Sequence, residues 1–264
     1  MVPLRVLVTG ASSGIGAAVS ALLASRGCRV VGSGRRLEGL TVAPGGSFEA
    51  AVVADLTAPG SAAGVVEKAV ATLGGLDVVV SCAGAGWEGP FTTMPPAEID
   101  NLLDINLRAP LHLARAAAPY LLASGGQLVL VGSIAGLVGV PKEVAYGTAK
   151  AGLRGLADGL RIEWSCEDNL GASSSARPTV TLVSPGAVAT PFFSRRNRPY
   201  THSWPHPMPV AKVARRIVRA IDRRQEDVVV PAWLGLAVRL NGGLPRLYRA
   251  LATFPWHMQH LPSG

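Results

Sequence analysis

Short runs of apolar, largely β-branched residues recur along the chain, separated by longer segments in which apolar positions follow helical spacing. The runs cover residues 5–9, 29–32, 50–53, 77–81, 127–131, 179–183 and 227–230. Several, such as Val6-Leu7-Val8 and Leu128-Val129-Leu130-Val131, are apolar at consecutive rather than alternate positions, the pattern of strands covered on both faces. Between them, segments 16–26, 62–73, 96–121, 145–163 and 210–223 carry helical composition or period. In the last of these, Val210, Val213, Ile217 and Ile221 share a face while Lys212, Arg215, Arg216 and Arg219 lie elsewhere, so this helix is expected to pack against a sheet. Strands alternating with helices predict an α/β fold with a doubly wound parallel sheet of about seven strands and helices on both faces.

A chain of 264 residues that is 48% hydrophobic can bury a large core, and α/β folds of this length form one domain. Residues 1–231 are read as that domain. Two stretches break the pattern. Segment 167–178, rich in Ser, Gly and Ala, reads as a surface loop, and segment 191–209 holds five prolines and several aromatics. A long loop of that kind after a strand end is placed to cover a site, so residues 187–209 are expected to form a lid. The tail, 232–264, is apolar with Arg239, Arg246 and Arg249, but Gly242, Gly243 and Pro245 interrupt it. It is too broken to span a membrane, and it is expected to pack on the domain or a neighbouring subunit, with contact to a membrane surface as the alternative.

The net charge of +8 suits any anionic partner. The arginines gather late, at Arg195, Arg196, Arg198, Arg215, Arg216, Arg219, Arg223 and Arg224, without interleaved aromatic residues. That argues against a single-strand nucleic-acid platform and for a solvated helix face and loop. Cys28, Cys82 and Cys166 have no CxxC spacing, no Asn-x-Ser/Thr acceptor occurs, and Met1 leads directly into the first apolar run, so a cytoplasmic protein is expected. His202 and His206 flank Pro205, which disfavours a shared helix face, and no metal site is expected there.

Chemistry concentrates at two places. Thr9-Gly10-Ala11-Ser12-Ser13-Gly14-Ile15-Gly16 follows a predicted strand and opens a predicted helix, the setting in which glycines let a backbone approach a pyrophosphate and helix N–H groups face its charge. A tight strand-to-helix turn without ligand is the plainer alternative. After the second strand stand Arg35 and Arg36, with no acid to bind a ribose 2′-hydroxyl; a guanidinium there can pair with a 2′-phosphate, which favours NADP(H) over NAD(H). Farther on, Ser133 follows the fifth apolar run, and Tyr146 and Lys150 stand four apart on a predicted helix, hence on one face. A phenol needs a neighbouring cation to trade protons near neutrality, and a serine hydroxyl can bond the same substrate oxygen. Taken singly, Tyr146 could be a packing residue, Lys150 a solvated charge and Ser133 a cap.

Together these residues resemble the short-chain dehydrogenase/reductase family, whose signature joins a TGxxxGxG turn to YxxxK on a Rossmann-like fold; the resemblance covers about residues 4–191. It implies Asn106, Ser133, Tyr146 and Lys150 as the catalytic tetrad, with Tyr146 as general acid or base, Lys150 lowering its pKa, Ser133 polarising the substrate oxygen and Asn106 holding a water. It implies Gly10, Ser12, Ser13, Gly14, Ile15 and Gly16 at the phosphates, Asp55 and Leu56 at the adenine, Cys82, Ala83 and Gly84 at the ribose, and Pro185, Gly186, Val188 and Thr190 at the nicotinamide. Two departures stand out. Cys82 replaces the second asparagine of the usual Asn-Asn-Ala-Gly, which is expected to alter strand support more than binding, and Ser13 stands where many NADP-using members place Lys or Arg. Trp87, Leu137, Phe192 and Phe193, with Ser133, are expected to line a cleft for a hydrophobic carbonyl or alcohol, helped by Tyr200 and Trp204. The resemblance also implies a homodimer or homotetramer. Two rival functions are a non-catalytic nucleotide-binding regulator and a membrane-surface dehydrogenase of lipids, retinoids or steroids.

Overall fold

The computed structural model describes residues 3–36, 48–166, 177–200 and 205–259, with side chains described as far as residue 253. The loop expected at 167–178, apart from its last two residues, falls outside these, as do His202, Trp204 and residues 260–264. The first half of the chain runs β1 (Arg5–Thr9), α1 (Gly14–Ala24), β2 (Arg29–Gly34), β3 (Phe48–Val53), α2 (Ser61–Leu73) and β4 (Val78–Ser81). Next come α3 (Pro96–Leu103), α4 (Ala109–Ser124), β5 (Gln127–Val131), α5 (Val144–Cys166), β6 (Thr179–Pro185), β7 (Val188–Ala189) and α6 (Phe192–Arg195). The chain continues through β8 (Met208–Pro209), α7 (Val210–Asp222), β9 (Asp227–Val230), α8 (Leu234–Gly243) and α9 (Pro245–Gln259).

Seven strands, all parallel, lie in the order β3-β2-β1-β4-β5-β6-β9, and each coincides with one of the apolar runs. Their consecutive apolar residues serve both faces. Leu7, Val79, Leu128 and Leu130 pack with residues of α2, α4 and α5, whereas Val6, Val8, Val78, Val80 and Val129 pack with α1 and α7. Each such Val or Leu contributes about 1.5–3 kcal/mol by leaving water. On α7, Val213, Ile217 and Ile221 are buried as the spacing requires.

One predicted helix is not continuous. Segment 96–121 divides into α3, a single π-helical turn Asp104–Arg108, and α4. The Ala109 N–H bonds to the Asp104 carbonyl, five residues back, and Pro110 next has no N–H to give, so the ladder slips by one residue. Such turns inside helices mark functional positions, and this one carries Asn106.

From β1 the chain winds outward to β2 and β3 and then returns to β4 on the other side of β1. The crevice of a doubly wound sheet opens above that reversal, at the strands' C-terminal ends. Gly10 sits in it with φ +66°, and a Cβ there would lie 2.8 Å from the Ala83 backbone, so only glycine lets the two strand ends meet. Parallel pairing of β7 with β8 ties together the two ends of the segment that follows Ala189. The C-terminal helices reach back to the same end of the sheet: the Tyr248 hydroxyl donates to the Gly139 carbonyl at 2.9 Å, and the Asn241 amide donates to the Leu137 carbonyl at 3.4 Å. Among the described residues, no helix is long and apolar enough to cross a membrane.

Candidate active site

Tyr146 and Lys150 stand one turn apart on α5, facing the end of β5. Lys150 is buried, and its Nζ donates to the carbonyl of Val131, the last residue of β5, at 2.9 Å. Burial disfavours its charge and brings its pKa down to about 8, opposed by the nearby Cys82. The Ser133 hydroxyl accepts the Ala135 N–H at 3.2 Å, which fixes the turn after β5. Tyr146 is pushed well above the ordinary phenol value, first by burial; the Ser133 hydroxyl bonded to it pulls the other way, Glu143 raises it further and Arg196 lowers it. The Lys150 ammonium lies 6.0 Å from the Tyr146 ring centroid.

Asn106 is wholly buried on the π-helical turn. Its Nδ2 donates to the carbonyls of Ala85 and Leu102 at 2.9 and 3.1 Å, and its Oδ1 accepts the Ala85 N–H at 3.3 Å. These bonds pin the strand that leaves β4. A Cβ on Gly84 would lie 2.7 Å from Asn106 Oδ1 and 3.6 Å from Lys150 Nζ, so glycine is what allows the loop, the asparagine and the ammonium to converge.

Across the crevice lies the glycine turn. Gly14 has φ +57°, and a Cβ on Gly16 would stand 2.3 Å from the Gly10 carbonyl oxygen; the path admits no side chain. Ser13 occupies the N-cap of α1, but its side chain makes no capping bond to the helix. With Ser12 and Ile15 it forms a cradle of main-chain groups that fits the pyrophosphate of a dinucleotide. Thr9 Oγ1 ties the crevice together, accepting the Cys82 and Ala83 N–H groups at 3.1 and 3.4 Å. Cys82 packs into the core below, its thiol pushed up to about 11 by burial and held back by Lys150 and the Gly16 N–H.

Arg35 and Arg36 are exposed just beyond β2. Asp55, beyond β3, accepts the Thr57 N–H and hydroxyl at 3.0 and 2.8 Å, which hold its carboxyl below the usual range, and Arg35 adds to this. Leu56 belongs to the core, which leaves main-chain contact as its route to any ligand. Gly186 donates its N–H to the Val230 carbonyl at 2.8 Å, behind Pro185. Val188 is buried, and Thr190 packs on Gly14, its Cβ 3.3 Å from where a Gly14 Cβ would be.

The described part of the segment expected to form a lid continues from there. Phe192 lies 5.7 Å from the Tyr146 ring, Phe193 5.6 Å from Phe192 and Tyr200 4.8 Å from Phe193, centroid to centroid. Trp87 packs in a small apolar cluster with Met94, Leu102, Ala145 and Tyr146, and Leu137 is tied through its carbonyl to α8. Sequence reasoning missed what holds this segment down. The Arg196 side chain is 1% exposed, pairs with Glu88 and with Glu143 at 2.9 Å, and lies 4.7 Å from the Phe193 ring. Asn197 adds a bond in each direction with the Glu88 main chain, at 2.8 and 2.7 Å. The Glu143 carboxyl is raised by burial despite Arg196. No spacing in the sequence joins these residues, which come from three separate loops.

A family model described as short chain dehydrogenase matches residues 5–201. An uncharacterised oxidoreductase of Staphylococcus aureus (strain MRSA252) is 32% identical over 188 residues, covering 70% of this chain and 78% of the relative. The uncharacterised oxidoreductase YxnA of Bacillus subtilis (strain 168) is 27% identical over 267 residues, 97% of this chain and 73% of the relative. Among solved structures, a short chain dehydrogenase/reductase from Burkholderia phymatum in complex with NAD superposes with a TM-score of 0.80 at 20% identity, covering 93% of this chain and 95% of that one. A short-chain dehydrogenase from Streptomyces avermitilis does so with a TM-score of 0.77 at 26% identity, covering 98% of both. With the glycine cradle on one side of the crevice and Ser133, Tyr146, Lys150 and Asn106 on the other, the chain belongs to the short-chain dehydrogenase family of oxidoreductases.

Proposed function

We propose that this protein is an NADP(H)-dependent oxidoreductase that interconverts a carbonyl and an alcohol on a hydrophobic substrate. The observation that carries the reading is the meeting of the Ser133 hydroxyl, the Tyr146 phenol and the buried Lys150 ammonium across the crevice from the glycine cradle. A nicotinamide dinucleotide, when bound, supplies or accepts the hydride. Tyr146 gives its hydroxyl proton to the substrate oxygen in reduction and takes it back in oxidation, while the Ser133 hydroxyl donates to that oxygen and steadies its developing charge. Lys150, fixed by the Val131 carbonyl, holds a positive charge beside Tyr146 and is placed to bind a ribose hydroxyl. Asn106 holds the loop through Ala85 in place.

The NAD bound to the Burkholderia phymatum relative supports a nicotinamide dinucleotide as cofactor. Arg35 and Arg36, with no acid at the end of β2, support NADP over NAD. Phe192, Phe193, Trp87 and Leu137 support an apolar substrate. Exposed Leu111 on α4 and Ile162 on α5 support a homodimer or homotetramer joined through these two helices. The test is fluorescence titration with NADPH and NADH, followed by turnover against a panel of ketones and quinones, with Tyr146→Phe alongside. Tighter NADPH binding and turnover lost in the variant are expected; a wild-type protein that binds neither nucleotide sinks the reading.

One observation favours a second reading, the same chemistry at a membrane surface. Trp233, Leu236, Leu244, Leu247 and Leu251 are exposed on or beside α8 and α9, among Arg239, Arg246 and Arg249. Pelleting of the full chain with anionic phosphatidylserine vesicles, and its failure to pellet with neutral ones, would support it.

A further inference from the structure

Arg195 closes α6, the short helix that starts the lid, and its Nη1 donates to Ser13 Oγ at 2.8 Å. The two residues are far apart in sequence, so the bond exists only because the lid folds back over the glycine turn. It lands at the N-cap of α1, where the short neutral side chain of Ser13 makes no capping bond to the helix. Thr190, five residues earlier, already rests against Gly14 in the same turn. Neighbouring Arg196 is buried and neutralised by Glu88 and Glu143. Arg195 is exposed, and in the described structure its guanidinium has a neutral hydroxyl as its hydrogen-bond acceptor.

From this we infer that Arg195 is a lid-borne clamp for the pyrophosphate of the dinucleotide, supplying from the lid the positive charge that the turn itself lacks. The inference rests on the cofactor reading above and adds to it a residue. A guanidinium presents a planar fork of donors that matches phosphate oxygens, and Ser13 Oγ holds that fork at the mouth of the cradle. Arg35 and Arg36, on the far side of the turn beyond β2, remain the residues that tell a 2′-phosphate from a hydroxyl.

The two assignments separate in a binding experiment that needs no turnover. Dissociation constants for NADPH, NADH and ADP-ribose are measured by calorimetry on the wild-type full chain and on Arg195→Ala, Arg195→Lys and Arg35→Ala, with thermal melts of the unliganded proteins as a folding control. Loss of a hydrogen bond to a charged group weakens binding roughly ten- to a hundred-fold. Arg195→Ala is expected to weaken all three ligands by that same factor, leave the NADPH-to-NADH ratio unchanged and flatten the dependence of affinity on salt. Arg195→Lys should recover part of the loss, and Arg35→Ala should weaken NADPH alone. Unchanged affinities in Arg195→Ala overturn the inference, and so does a loss confined to NADPH, which would put the guanidinium on the ribose phosphate. A wild-type chain that binds none of the three overturns the cofactor reading itself.

Discussion

Replacing Lys150 by Met should stabilise the protein at neutral pH while removing its activity. Lys150 is 7% exposed, and burial takes its pKa from 10.5 to about 8. At about 1.4 kcal/mol per pH unit that difference corresponds to a cost of about 3 kcal/mol for keeping the charge inside. The sign follows from proton counting. Between pH 8 and 10.5 the unfolded chain holds a proton that the folded chain has released, so stability rises with pH across that window. Below pH 8 both states are protonated and the folded state carries the full penalty. Met matches the length of the side chain without the charge, but leaves the Val131 carbonyl without the Nζ donor, a loss of about 1 kcal/mol. The net expectation is a gain of about 2 kcal/mol for Lys150→Met at pH 7, changing to a loss of about 1 kcal/mol near pH 10.5. Urea unfolding of both proteins at pH 7, 9 and 10.5 measures it. An offset between variant and wild type that stays the same at all three pH values would refute the reasoning, because the charge would then not be what destabilises the site.

Arg196→Met strands the Glu88 and Glu143 carboxyls together in a buried place, which costs about 3–5 kcal/mol when one partner of a buried ion pair is removed; the loss should show as faster thermolysin cleavage near Phe192, partly reversed by adding Glu143→Gln. Ser133→Ala removes the hydroxyl that holds the Tyr146 phenol down, so the alkaline rise of alcohol oxidation should move to higher pH, whereas an unmoved limb would mean that Tyr146 is not the group being titrated. Gly84→Ala puts a Cβ 2.7 Å from Asn106 Oδ1 and should cost turnover far more than melting temperature, since what it displaces is the asparagine beside Lys150 and not the core; equal losses in both would contradict that.

The strands were readable because a sheet buried on both faces demands consecutive apolar residues, here short, largely β-branched runs set between helix-length segments. Gly10 and Gly16 were readable because each sits where a Cβ meets backbone, Gly14 because its φ of +57° favours glycine, and Tyr146 with Lys150 because a helix fixes their spacing. The break at Asn106 was not, although Pro110 signals it in hindsight: a proline four residues after a polar residue inside an apolar helix removes a donor that the ladder needs. The state of Tyr146 was also out of reach. Proximity to a cation can be inferred from spacing, whereas the burial that raises the phenol comes with Phe192 packed against its ring, and Ser133 and Glu143 act on it from other loops. The ion cluster that holds the lid is of the same kind: Glu88, Glu143 and Arg196 each look like surface charges until the chain is folded.

Arg195 and Arg196 show how far two neighbouring, chemically identical side chains can diverge once the fold is in place. Arg196 turns inward, stacks on Phe193 and joins the loop after β4 to the loop before α5, so the lid is docked by a charge that must not be left alone. Arg195 turns outward onto Ser13. The two are linked through one short helix, and the energy that docks Arg196 therefore also sets where Arg195 points. It follows that loosening the lid should weaken dinucleotide binding even though Arg196 itself faces Glu88 and Glu143, on the Tyr146 side of the lid. A double substitution of Arg195 and Arg196 should then cost less in dinucleotide affinity than the sum of the two single changes, because a clamp on an undocked lid has nothing left to lose.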